Sequence, residues 1–266
     1  MQPTEFRLSR IKTSSAVEGV RVRLLLLPGM DGTGRLFAPL QAALPPWLPA
    51  VTVSYPPDQP LGYDGLLPLV EAAAAGLDEF VVVGESFSGP LALMLATQRP
   101  PGLRGLVLCA SFVRFPLPVP QQWRGLVRPW MFRLQPTWLV ALVLLGRRGW
   151  GPLGRLLRGA VRSVSPAALA ARARAVAGVD VTAELQTCPV PVLYLRAAGD
   201  LVIRPGCWEL VRSVRPDAEI VVLPGPHLVL QVSPAEAAAA LAEFCDRLPR
   251  PNQAQQPTRP QSRAGG

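Results

Sequence analysis

Short, largely hydrophobic runs recur along this 266-residue chain, and each run ends at turn-forming residues. Continuous apolar runs of this length are typical of strands that are buried on both faces of a sheet. Such strands are predicted over residues 23–27, 51–55, 80–83, 106–109, 190–195 and 219–223.

Helix-like segments separate the predicted strands, over residues 33–44, 64–76, 86–98, 204–214 and 234–248. Alternation of strands and helices along a chain favours right-handed crossovers and a doubly wound, mostly parallel sheet. The sequence therefore predicts the α/β class, with one large domain that carries an insertion.

The alternation breaks over residues 112–181, where no strand-like run separates the helices. This stretch is rich in Trp, Arg and Pro, and we expect it to form a helical cap inserted between two core strands. The core would then comprise residues 1–111 and 182–248. Residues 249–266 are polar and proline-rich, which is typical of a disordered tail.

Positive charge is concentrated in the same stretch. The formal net charge is +9, from 27 basic and 18 acidic residues. Eleven arginines lie from Arg114 to Arg174, and no Asp or Glu occurs between Ser86 and Val179. A GC-rich genome would produce such a bias, and so would a surface for an anionic partner. An acyl carrier protein, a coenzyme A ester and an anionic lipid surface would each fit the second explanation.

Other features of the sequence disfavour several classes of protein. Nucleic-acid binding is not expected, because zinc-finger spacing, an RNP-like motif and a basic helix with heptads are all missing. The four scattered cysteines are typical of buried side chains in a reducing compartment. No apolar run is long enough to span a bilayer, and no signal peptide is recognised. We expect a cytoplasmic protein, with peripheral contact to the inner membrane surface as an option, and no cofactor or metal.

The most informative segment is VVVGESFSG, residues 81–89, where a predicted strand runs directly into a predicted helix. A serine at such a strained corner has its hydroxyl lifted clear of the sheet, as a nucleophile requires. Ser86 occupies this position, and the N-terminal end of the helix would favour a developing oxyanion. A plain N-cap role is the structural alternative for Ser86. Ser88 is a poorer candidate because it falls within the first helical turn.

A glycine-rich loop, LPGMDGTG, follows the first predicted strand. In an architecture with a nucleophile at a strand-to-helix corner, this loop provides one backbone N–H to the oxyanion, and the residue after the nucleophile provides another. By position, these donors are the amides of Met30 and Phe87. Phosphate binding is disfavoured because the loop has neither the P-loop signature nor GxGxxG spacing.

Asp200 and His227 each follow a predicted strand, and they are the candidates for the acid and the base of a triad. Catalytic groups of open α/β sheets collect at the carboxyl ends of the strands. His227 is the only histidine, and the chain order Ser86, Asp200, His227 matches a triad on a sheet of this type. Ordinary turn or structural roles are the alternative, and Asp180 and Asp217 are possible substitutes for Asp200.

Together, the motifs GESFSG, LPGMDGTG, RAAGD and GPH resemble those of the α/β-hydrolase superfamily over nearly the whole chain outside the predicted cap and tail. The loop and the corner are also similar to those of plastid esterases and acyltransferases of the phytyl-ester-synthase type. The capped layout is similar to that of bacterial carboxylesterases that act on acyl-carrier-protein esters. Two positions depart from the family pattern: Ser88 replaces a glycine, and Pro28 stands where many members have histidine.

The resemblance implies a serine hydrolase that cleaves a carboxylic ester or thioester, with Ser86, Asp200 and His227 as nucleophile, acid and base. An apolar acyl group would suit the tryptophans of the predicted cap, which are Trp123, Trp130, Trp138 and Trp150. The same triad would serve an acyltransferase that passes the acyl group to an alcohol, and the sequence leaves this alternative open. A non-catalytic binding protein is disfavoured because no residue of the triad is missing.

Overall fold

Six strands form a single parallel sheet in the order β2-β1-β3-β4-β5-β6. The structure, a computed structural model, describes residues 22–115 and 125–249, so Trp123 and all but the first residue of the predicted tail lie outside these ranges. The strands are β1 Arg23–Leu27, β2 Ala50–Thr52, β3 Phe80–Glu85, β4 Leu103–Cys109, β5 Val192–Ala197 and β6 Glu219–Leu223. The predicted α/β class and doubly wound sheet are confirmed.

Helices connect consecutive strands of the sheet, and two more follow the last strand. In the described ranges they are α1 Ala38–Ala43, α2 Tyr63–Ala74, α3 Gly89–Thr97, α4 Pro129–Arg133, α5 Thr137–Leu145, α6 Pro152–Arg162, α7 Pro166–Gly178, α8 Thr182–Gln186, α9 Pro205–Val214, α10 Val229–Val232 and α11 Pro234–Arg247. Single 3₁₀ turns occupy Arg35–Phe37, Ser86–Ser88 and Gly146–Trp150. None of the helices in these ranges is long and apolar enough to cross a membrane.

The central strands are buried on both faces, as their continuous apolar sequences predict. Leu25 and Val82 belong to a core that includes residues of α2 and α3, whereas Leu24 and Val81 belong to a second core with residues of α1 and α11. Because successive strand residues face opposite cores, an apolar side chain is favoured at every position. The two layers of helices leave the carboxyl ends of the strands free for the loops that carry the site.

The second strand is shorter than its sequence predicts. The amide of Val53 still donates to the carbonyl of Leu26 at 3.0 Å, but the amide of Tyr55 donates to Gly32 in the loop after β1, at 2.7 Å. Two prolines follow Tyr55, and proline has no amide hydrogen to continue a ladder. The chain therefore leaves the sheet early and carries the Tyr55 side chain beneath the loop.

Between β4 and β5 the chain forms helices α4 to α8 before it returns to the sheet. We refer to residues 112–181 as the inserted segment. An antiparallel bridge between Arg114 and Asp180 joins its two ends. The four cysteines, which lie elsewhere in the chain, are all free and buried, as their scattered positions predict.

Candidate active site

Close backbone contact builds the corner between β3 and α3. Ser86 has a φ of 50°, in the left-handed region that costs a non-glycine residue about 1–2 kcal/mol. A Cβ atom on Gly84 would lie 2.5 Å from the carbonyl oxygen of Ser88, and one on Gly89 would overlap the side chain of Ser111. Both glycines are therefore needed for the helix to pass this close, and Ser86 is the strained residue of the turn.

The structure brings Ser86, Asp200 and His227 into one hydrogen-bonded row. Ser86 Oγ lies 2.8 Å from His227 Nε2, and His227 Nδ1 lies 2.9 Å from Asp200 Oδ2. A carboxylate only accepts hydrogen bonds, so Nδ1 carries the proton and Nε2 accepts from the serine hydroxyl. The His227 and Asp200 side chains are almost fully buried, whereas Ser86 is partly exposed. A buried base thus faces an accessible hydroxyl.

The order of the strands explains why residues so far apart in the sequence meet. Ser86 follows β3, Asp200 follows β5 and His227 follows β6, and all three are parallel strands of the one sheet, with only β4 between β3 and β5. The turns after β5 and β6 are also joined directly, because the Gly199 amide donates to the Gly225 carbonyl at 2.8 Å. Because these strands run parallel, their carboxyl ends deliver the three side chains to the same edge of the sheet.

Backbone amides fix the orientation of the Asp200 carboxylate. Its Oδ1 atom accepts from the amides of Val202 and Ile203 at 2.8 and 2.9 Å, which leaves Oδ2 for the imidazole. Asp180 and Asp217, the substitutes considered from the sequence, hydrogen-bond to residues close to them in the chain instead. Asp200 is thus the one of these three aspartates that contacts the histidine.

The loop after β1 presents a backbone N–H group from Met30. The Gly32 amide donates to the Gly29 carbonyl at 2.9 Å and so fixes the peptide between Gly29 and Met30. Since the N–H and C=O of a trans peptide point in opposite directions, the Met30 N–H points out of the turn. Among the loop and cap hydrogen bonds of the described residues, neither Met30 nor Phe87 acts as a backbone donor. Both amides are therefore free to bind a ligand.

A buried arginine of the inserted segment holds this loop from behind. Arg172, on α7, is fully buried; its Nη1 donates to the carbonyls of Met30 and Asp31 at 3.0 Å each, and its Nη2 donates to Pro56 at 2.9 Å. Gly32 has a φ of 68°, and a Cβ atom there would lie 2.6 Å from Nη1. The sequence-based prediction missed Arg172, which is 142 positions from Met30 in the chain.

The Ser88 hydroxyl connects the corner to the same loop. It donates to the carbonyl of Pro28, and the Tyr55 hydroxyl lies 2.6 Å from its oxygen. A hydroxyl has one proton, so Tyr55 donates to Ser88. The two positions that depart from the family pattern, Ser88 and Pro28, therefore contact each other. The sequence identifies Ser88 only as a poorer nucleophile candidate and as a departure from the family pattern, and it does not predict these hydrogen bonds.

Glu85 is a buried acid directly beneath the serine. Its Oε1 accepts from Gln231 Nε2 at 2.8 Å, and its Oε2 lies beside Gly29, where a Cβ atom would be 3.9 Å away. Burial raises the pKa of Glu85 to about 8, so the group is mostly protonated at neutral pH. Burial also raises the pKa of Asp31, against the opposing effect of its hydrogen bonds from Thr33. An acid at the end of an apolar run was the sequence signal that could have identified Glu85.

This arrangement is suited to nucleophilic chemistry at a carbonyl group. It combines a hydroxyl, a base that the hydroxyl already contacts, and two free amides from Met30 and Phe87. Within residues 22–115 and 125–249, no cluster of His, Cys, Asp or Glu is suited to hold a metal ion.

One family model and many solved structures match the chain. The model described as "Alpha/beta hydrolase family" matches residues 24–241. No curated protein sequence matches. A thermophilic esterase from Thermogutta terrifontis has a TM-score of 0.73 at 20% identity, over 86% of this chain and 90% of that chain. An enol-lactonase from Burkholderia xenovorans LB400 has a TM-score of 0.70 at 17% identity, over 85% and 91%. The esterase RhEst1 from Rhodococcus sp. ECU1013 gives 0.69 at 18% identity, over 86% and 91%.

Proposed function

Because this chain belongs to the alpha/beta hydrolase family and has its fold, we propose that it is a serine hydrolase that cleaves a carboxylic ester or thioester through an acyl-enzyme. The observation that carries the proposal is the continuous hydrogen-bonded row of Ser86, His227 and Asp200. In this proposal Ser86 is the nucleophile, His227 is the general base, and Asp200 orients the imidazole.

The first half of the reaction acylates Ser86. As Oγ attacks the carbonyl carbon, its proton passes to His227 Nε2, and Asp200 stabilises the resulting imidazolium. The negative charge that develops on the carbonyl oxygen is bound by the amides of Met30 and Phe87, each of which is typically worth about 10²–10³-fold in rate. The bond to the leaving alcohol or thiol then breaks, and His227 returns its proton to the leaving group.

The second half of the reaction releases the acyl group. Water gives a proton to His227 as its oxygen attacks the acyl carbon, and the same two amides stabilise the second oxyanion. The bond to Ser86 Oγ breaks, and Oγ recovers the proton from His227. The products are a carboxylic acid and the free enzyme, so every proton that the histidine takes up is returned.

The inserted segment is proposed to cap the site and to receive an apolar acyl group. It contacts both sides of the site: Arg172 binds the loop that carries Met30, and the Leu144 carbonyl accepts from the Leu228 amide, next to His227, at 3.0 Å. The segment is also the part of the molecule that is rich in tryptophan and leucine. These contacts support a role in substrate selection.

Covalent labelling with a fluorophosphonate probe tests the role of Ser86. The wild-type protein should become labelled, and Ser86→Ala should not. Ser213→Ala is the matched control, since Ser213 is an exposed serine on α9 that hydrogen-bonds only to its own helix, and it should label normally. Labelling of Ser86→Ala would refute the assignment.

The acyl specificity is tested with nitrophenyl esters of increasing chain length. An apolar acyl site predicts that kcat/KM rises with chain length before it falls. Product analysis in the presence of an alcohol then separates hydrolysis from acyl transfer, because transfer would give a new ester in place of the acid. If the probe labels the wild-type protein but a sample without the probe turns over none of these esters, simple ester hydrolysis would be excluded.

A further inference from the structure

Helix α5, in the inserted segment, is hydrophobic around its whole circumference, with the sequence TWLVALVLL. Yet only Ala141 and Leu145 of the helix are buried. A helix that is apolar on all sides is normally enclosed by protein or in contact with lipid. Its nine residues are far too few to cross a bilayer. The outer side of α5 is therefore an apolar surface without a partner in the described part of the chain.

Further large apolar side chains are exposed on α4, on α5 and in the chain segments beside these helices. We call this set the apolar face: Leu126, Trp130 (61% exposed), Met131, Leu134 (72%), Trp138 (50%), Leu139 and Trp150 (64%). The rings of Trp138 and Trp150 stack, with centroids 6.2 Å apart, so residues of α5 and of the following 3₁₀ turn share one surface. Exposed apolar patches of this kind mark interaction sites, and tryptophan is enriched where a bilayer meets water.

The elements that carry the apolar face, and the neighbouring α6, also carry exposed arginines without acidic partners. In the inserted segment, those that are exposed and have no acidic side chain within salt-bridge distance among the described residues are Arg128, Arg133, Arg147, Arg148, Arg155 and Arg162. Long basic side chains can keep their charge in the headgroup region while their carbon chains lie along apolar surface. A second copy of the chain is a poor occupant, since a symmetric contact would place these arginines against each other.

The apolar face also adjoins the proposed catalytic site. Its helix α5 ends at Leu145, and the Leu144 carbonyl is bound by the amide of Leu228, the residue after His227. On the other side of the site, Met30 and Phe132, from α4, both pack against a small cluster that includes Leu169. The helices of the apolar face are therefore connected to both loops of the site.

We propose that the inserted segment docks on the surface of an anionic lipid bilayer, with α4 and α5 among the headgroups and the arginines against lipid phosphates and carboxylates. An acidic protein would neutralise the arginines, but it would not by itself account for three exposed tryptophans around a helix that is apolar on all sides. A bilayer interface accommodates both features. The inference extends the proposed function to a partner, and it is measurable without turnover.

Vesicle flotation with the full-length Ser86→Ala protein tests this binding separately from catalysis. The probes are vesicles of phosphatidylcholine alone and vesicles with about one-third phosphatidylglycerol. We expect flotation with the anionic vesicles and at least tenfold weaker partition to the neutral ones. Because each basic residue near an anionic surface contributes about fivefold to partition, Arg128→Gln with Arg133→Gln should weaken binding about 25-fold.

Matched variants separate specific docking from general charge or hydrophobicity. Trp130→Ser with Leu134→Ser should weaken binding at least tenfold, whereas Val222→Ser, at an apolar residue on β6 that is 53% exposed, should not. Arg99→Gln, at the opposite end of α3 from the site, is the control for charge. The proposal is overturned if the protein binds neither kind of vesicle, or if all variants bind equally well. So does a dimer in size-exclusion chromatography that Trp130→Ser converts to monomer.

Discussion

Replacing Arg172 with methionine would remove the guanidinium group that joins the inserted segment to the loop after β1. The substitution keeps an unbranched side chain of similar length in the same buried space. Three hydrogen bonds disappear, to the carbonyls of Met30 and Asp31 at 3.0 Å and to that of Pro56 at 2.9 Å. The Met30 carbonyl belongs to the residue whose N–H is the proposed oxyanion donor, so the loss acts on both stability and catalysis.

The size of the stability effect follows from two opposing contributions. Hydrogen bonds to charged groups are worth about 1.5–3 kcal/mol each, so three of them sum to about 5–9 kcal/mol. Burying the guanidinium costs several kcal/mol, and burial lowers the pKa of Arg172 for the same reason. Methionine escapes this cost but leaves the three carbonyls without their donor. We expect a net loss of about 2–4 kcal/mol in the free energy of unfolding.

The effect on catalysis should be separable from the loss of stability. If the loop relaxes, the Met30 N–H moves away from the developing oxyanion, and a full loss of one donor costs about 10²–10³-fold in kcat. We expect a decrease in kcat of about 10–100-fold with little change in KM, because the acyl group would still be bound. The assay is steady-state hydrolysis of a nitrophenyl ester, at a temperature where urea titration shows that the variant is folded.

Two further variants make this prediction sharp. Arg172→Lys keeps the charge but reaches fewer of the three carbonyls, so its kcat should be intermediate. Arg174→Met, two residues along α7, removes a single contact to the Val127 carbonyl and should leave kcat unchanged. A folded Arg172→Met variant with wild-type kcat would refute the idea that this arginine positions the loop for catalysis.

Three more predictions concern the residues at and around the corner. Ser86→Gly should be more stable than Ser86→Ala by about 1 kcal/mol in urea unfolding, because glycine adopts a φ of 50° without steric cost, and equal stabilities would contradict the strain. Ser88→Gly restores the family pattern but should lose about 1–3 kcal/mol, since the Tyr55 hydroxyl loses its buried acceptor. Adding Tyr55→Phe should then cost little, whereas fully additive losses would show that the two hydroxyls do not interact. Glu85 has its pKa raised by burial from 4.5 to about 8, so its contribution to stability is complete below pH 4.5 and is lost as the pH rises to about 8. The stability of Glu85→Gln relative to wild type should therefore be higher at pH 8 than at pH 4.5, and a constant difference between the two pH values would contradict the buried protonated acid.

The sheet and the three residues of the row could be predicted because their signals are local. Each strand is a short apolar run with a turn after it, and Ser86, Asp200 and His227 each follow such a run directly. Parallel strands then bring their carboxyl ends to one edge whatever the intervening sequence. A sequence motif directly after a predicted strand is therefore enough to place these three side chains at the carboxyl edge of the sheet.

The support beneath the site could not be predicted, because it depends on which face of an element is buried. Arg172 and Arg174 are two positions apart in an alanine-rich helix, and nothing in the sequence separates the buried guanidinium from the partly exposed one. Their difference arises only when α7 packs over the loop after β1. The same holds for Gln231, whose amide meets Glu85 across 146 positions of the chain.

The buried polar groups around the site lie where helices and loops that are far apart in the sequence must keep a fixed position relative to each other. Glu85 joins the corner to the loop after β1 and to α10, and Arg172 joins that loop to α7. Apolar side chains would fill this space without the free-energy cost of burying polar groups. Apolar packing is not directional, however, whereas a hydrogen bond fixes the orientation of a peptide group. Because Arg172 binds the Met30 carbonyl, any displacement of α7 at a bilayer surface would also move Met30. The position of the inserted segment and the geometry of the proposed oxyanion site are therefore coupled.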